Sequence, residues 1–93
     1  MSQTPELTIV EEIIEGVTAD GVDVVEDLVA VLDGDGNVVA IDDTIAAVDS
    51  EGNAIIDETI SAIDESGDLH VVSETVTAID ADGTITQVVA TAV

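Results

Sequence analysis

Carboxylates are the one reactive group this chain carries in quantity. There are 22 Asp and Glu, no Lys or Arg, no cysteine and a single histidine. Their spacing is regular. Four segments read Asp33-Gly34-Asp35-Gly36-Asn37, Asp49-Ser50-Glu51-Gly52-Asn53, Asp64-Glu65-Ser66-Gly67-Asp68 and Asp80-Ala81-Asp82-Gly83-Thr84. Clustered side-chain oxygens are what hard divalent cations take as ligands. Asp33, Asp35, Asp49, Glu51, Asp64, Asp80 and Asp82 are therefore candidate cation ligands, with Ca²⁺ as the candidate ion. Asp43, Glu58 and Glu74, from the intervening segments, are a second candidate set. The structural alternative is simpler and better supported: an Asp opening a type I turn, then a Gly able to take positive φ.

The run from Asp33 to Asn37 resembles the opening of an EF-hand loop and then departs from it. Val38 stands where that loop needs Gly, and Thr44 where it needs a bidentate Glu. The Gly-Gly-x-Gly-x-Asp pattern of calcium-binding β-rolls is absent too. His70 has no second His or Cys to share a transition metal. Asp68, His70 and Ser73 lie too close along one strand to converge as a hydrolytic triad. Thr44, Thr59 and Thr75 recur at one place in their segments, without the Thr-x-Thr in every unit that an ice-binding ladder shows. These residues point to no catalytic function and to no named family.

The elements behind the spacing are repeats. Gly36, Gly52, Gly67 and Gly83 are 16, 15 and 16 residues apart, each three residues after an Asp, and a fainter copy ends at Gly21 with Thr18 in the Asp place. Between turns run Val10–Val17, Val25–Leu32, Ile41–Val48, Ile56–Ile63 and Val72–Ile79, each starting with a β-branched residue and then acids or Ser. Val, Ile and Thr suit a pleated sheet. The expected fold is all-β: one domain over residues 1–93, with units at about 7–21, 22–36, 37–52, 53–67, 68–83 and 84–93. One Gly-bearing turn per unit favours a six-stranded antiparallel meander, curled on itself or packed on other copies, over a β-solenoid. Residues 6–17, where Glu and Ile mix in a helix-like way, are read as strand because they align with the strand-like copies.

Strand alternation, counted from unit to unit, puts Ile56, Glu58, Ile60 and Ala62 on a face with Val39, Ile41, Asp43, Ile45, Ala47, Val72, Glu74, Val76 and Ala78. Asp43, Glu58 and Glu74 then form one acidic row in an apolar face. Such a face needs a partner layer: a small barrel, a sandwich or another copy. The last strand-like stretch, Thr86 to Val93, has no charged side chain, so it is an unprotected edge suited to pairing with the first strand or another chain.

Composition excludes several functions. A formal net charge of −22 leaves no cationic group for nucleic acid or an anionic membrane. Aromatic content is zero, so no ring anchors a core or interface. Residues 1–5 lack the basic and apolar regions of a secretory signal, and no apolar run is long enough to span a membrane. The chain is expected to be cytoplasmic as synthesised, with extracellular or virion-associated use as alternatives. The function expected is non-catalytic: a structural protein assembling with itself through β-sheet faces and edges. The alternatives are an acidic binding protein, acting as a DNA mimic or a cover for a basic partner, and a weak divalent-cation module.

Overall fold

The structure, a computed structural model, describes residues 6–91. It is all-β. Strands β1 (Thr8–Val17), β2 (Asp23–Leu32), β3 (Val38–Val48), β4 (Ala54–Ile63), β5 (Leu69–Ile79) and β6 (Ile85–Thr91) follow one another. They form a single antiparallel sheet in the order β1-β2-β3-β4-β5-β6. The meander expectation holds, and residues 8–17 are strand. The sheet is open: β1 and β6 lie at opposite edges and do not pair with each other, so of the two pairings considered for the last stretch, the one with the first strand is not found. The part of that last stretch beyond Thr91, and the segment 1–5, fall outside the described residues.

Each connection spans five residues, the first donating its N–H to the carbonyl of the fifth around a three-residue tip that ends in a glycine of positive φ. The N–H of Gly36 donates to the Asp33 carbonyl at 3.0 Å, and the N–H of Asp33 to the Asn37 carbonyl at 2.8 Å. The other four turns repeat both bonds, including the one at Gly21. Gly36, Gly52, Gly67 and Gly83 have φ of 86°, 90°, 85° and 88°, a region closed to β-branched side chains. Gly52→Val is therefore expected to destabilise the chain by about 1 kcal/mol or more. Urea titration would check this, and an unchanged midpoint would mean that the turn tolerates another backbone shape.

The alternation of 15- and 16-residue spacings has a structural cause. Val31 pairs with Ala40 and Leu32 with Val38, leaving Val39 as an extra residue. Ile60 pairs with Ser73 and Ser61 with Val71, leaving Val72 extra. These are β-bulges. One lies in β3 and one in β5, the two 11-residue strands, so the longer units each carry one inserted residue.

The sheet has no core. Among the described residues no apolar side chain is buried, and the one buried residue is Ser61, at 8% exposure beside the second bulge. Eighteen of the described large apolar residues are exposed, among them Ile13, Ile45, Ile55 and Val89.

Candidate functional site

Four of the expected cation ligands are used to build the turns. Asp33 Oδ1 accepts from the N–H groups of Asp35 (2.9 Å) and Asn37 (3.0 Å). Asp49, Asp64 and Asp80 each repeat this pair of bonds at 2.9–3.0 Å. Thr18 does so in part, accepting from the Val22 N–H at 3.1 Å. Asp49 also accepts from the Asn53 side-chain amide at 3.0 Å. That bond, with backbone N–H bonds from Asn53, Glu51 and Gly52, holds its carboxyl below the usual range against an opposing effect of burial. Asn53 Oδ1 in turn accepts from the Ala81 N–H at 3.0 Å, tying two neighbouring turns together. Asp35, Glu51 and Asp82 point into solvent. No group of three His, Asp or Glu side chains among the described residues is placed to hold a metal ion. His70 is exposed and stands opposite Ala62.

The second acidic set is corrected by the register. Thr44 pairs with Glu58, and Glu58 with Thr75, on one face. Asp43 pairs with Thr59, and Thr59 with Glu74, on the other. Glu58 is therefore on the opposite face from Asp43 and Glu74, and the single acidic row does not exist. The faces change with it: Ile56, Glu58 and Ile60 share theirs with Ala46, Thr44 and Asp42, not with Ile45, Asp43 and Ile41. The reason is antiparallel reversal. Equivalent positions of successive units line up in a solenoid. In a meander the second acid of one unit meets the third position of the next, which is Leu28, Thr44, Thr59 or Thr75.

The same reversal creates contacts that unit-by-unit counting misses. In each of the first four units the first acid lies diagonally across from the second acid of the following unit. Glu11 meets Asp27, Glu26 meets Asp43, Asp42 meets Glu58, and Asp57 meets Glu74. By the register these four pairs fall on alternating faces. In each, the Glu carboxyl is pushed above its ordinary value, first by a hydrogen bond to its Asp, then by the charge of that Asp, and last by burial. Glu26 is raised further by Glu12. The arrangement suits one proton held between two carboxyls. Each of the four Asp partners also has its Oδ1 shielded from solvent with no hydrogen-bond partner, which is costly for a charged oxygen. Knowing only that the fold is a meander, one could find these pairs by reversing every second unit of the repeat.

Chemically the arrangement can bind protons and screening cations. A hollow beside Ala47, Ala54, Ile55, Ala78 and Ile79 is open and lined mostly by apolar groups. No family model, curated protein or solved structure matches the chain.

Proposed function

We propose that the chain is a non-catalytic structural unit that assembles with copies of itself, through sheet faces and edges, into a fibre, sheath, spike or shell. The observation that carries this is the absence of any buried apolar residue among the described ones. Removing apolar surface from water is the main favourable term in folding, and an isolated layer leaves it unused on both sides. Every strand carries exposed large apolar side chains, and where such side chains adjoin they form surface suited to association. Against it stands a net charge of −22, which opposes bringing copies together and makes assembly depend on salt and protons. The same charge favours an acidic cover for a basic protein as the second reading.

Static light scattering and negative-stain microscopy of the purified chain test this. Large ordered particles that grow with NaCl are expected. Deleting residues 86–93 removes the uncharged strand and should abolish them while circular dichroism still reports β-structure. A full-length chain that stays monomeric or dimeric at every salt concentration overturns the proposal, and competition with DNA for a basic protein would then favour the second reading. Particles unchanged by the deletion would show that β6 has no part in assembly.

A further inference from the structure

Resting on that self-assembly reading, we infer that copies join head to tail, the free edge of β6 pairing with the free edge of β1 of the next copy to extend one antiparallel sheet.

The argument begins with strand number. An even meander leaves its two edge strands antiparallel to each other, as the order β1 to β6 shows. A copy placed alongside by translation and twist therefore continues the antiparallel alternation without inversion. Contacts of this heterologous kind produce an open polymer, or a ring where the rotation from copy to copy closes.

Register comes next. At four internal junctions, with bulges absorbed, the second position of a unit faces the third of its neighbour: Glu12 with Leu28, Asp43 with Leu28 and with Thr59, Glu74 with Thr59. The β5–β6 junction obeys the same rule, pairing Glu74 with Ala90 and Thr75 with Val89. Val88, Val89 and Ala90 thus stand where β3 carries Asp42, Asp43 and Thr44 and β4 carries Asp57, Glu58 and Thr59, and this edge bears no charge. Continued by one step, the rule sets Ala90 opposite Glu12, Val89 opposite Ile13 and Val88 opposite Ile14 of the next copy. Glu12 then falls diagonal to Val88, so the new junction adds no carboxyl pair of the kind found at the four internal ones.

The alternatives fit less well. Two β1 edges would bring the glutamates of both copies, Glu11, Glu12 and Glu15, into one junction, and like charges across strands are unfavourable. Two β6 edges would match in charge but leave β1 exposed along its whole length. Only the β6-to-β1 junction covers the backbone donors and acceptors of both edges.

The chain has no cysteine, so cross-linking reads the junction directly. Residues directly opposite in an antiparallel pair lie within disulfide reach. Glu12→Cys and Ala90→Cys variants, mixed and mildly oxidised, should form the mixed dimer above the statistical ratio to either homodimer. The double variant should give a reducible ladder. Dominant Ala90→Cys homodimers would overturn the inference in favour of β6 pairing with itself, and an internally cross-linked monomer of the double variant would overturn it in favour of a closed sheet. Large particles by light scattering without cross-links would overturn the head-to-tail junction and leave self-assembly standing. Small particles without cross-links would overturn both.

Discussion

The melting temperature is expected to rise as the pH is lowered from 8 toward 4.5, and to fall again in stronger acid. Glu11, Glu26, Glu58 and Glu74 all have folded-state values raised above 4.5, by a hydrogen bond to a neighbouring Asp and by its charge. A raised group binds more protons folded than unfolded, so its contribution is fully present below the unfolded value and lost as pH climbs through the folded one. Four such groups make neutral pH the unfavourable side. Asp49 has the opposite sign: its value is lowered from 3.8 by the amide and backbone donors of its turn. Its contribution is present above 3.8 and disappears as pH falls through the depressed value. Stability should therefore peak in mild acid. The checking measurement is a series of thermal melts by circular dichroism at low salt. High NaCl at pH 8 should recover part of the gain, because salt screens these carboxyls, of which Glu11 is exposed and Glu26, Glu58 and Glu74 are half-buried. Ca²⁺ should add little beyond its ionic strength, since no three acidic side chains among the described residues converge on a cation position. A melting temperature flat between pH 8 and 5 would mean that the diagonal carboxyls repel too weakly to matter.

How much of this was legible in the sequence depended on whether the information was local. The hairpin turns were legible because Asp33 and Gly36, or Asp49 and Gly52, settle the local geometry within three residues. Strand content followed from Val, Ile and Thr in the same way. The acidic sites were not legible at the same level, because they depend on which residues of different strands stand opposite. Assigning Asp43, Glu58 and Glu74 to one face assumed that equivalent positions align, whereas antiparallel reversal pairs the second position with the third and separates Glu58 from the other two. The bulges at Val39 and Val72 shift alternation again within β3 and β5. The 16-residue spacings were their visible trace, but a spacing does not reveal where in the unit the extra residue sits.

Replacing all four raised glutamates by lysine should convert the acid-stabilised chain into one that is most stable near neutral pH. In E11K/E26K/E58K/E74K each diagonal pair becomes Lys with Asp, and each reversal changes the net charge of −22 by two units. The shielded Oδ1 atoms of Asp27, Asp42, Asp43 and Asp57, which lack a donor, would have an ammonium group within reach. The lysine stem would lie along the flanking apolar residues, Ile56 and Ile60 in the case of position 58. An Asp beside Lys has its folded value lowered, so its contribution is present above the ordinary carboxylate range and lost as pH falls through the folded value. The slope of melting temperature against pH in mild acid therefore inverts. The matching glutamine variant separates the two effects: it removes repulsion without adding attraction, so its melting temperature should exceed that of the parent at pH 8 and vary little with acid. Assembly should need less salt in both variants, and least in the lysine one. A lysine variant that still gains stability on acidification with the parent's slope would show that the titrating charges lie outside these four pairs.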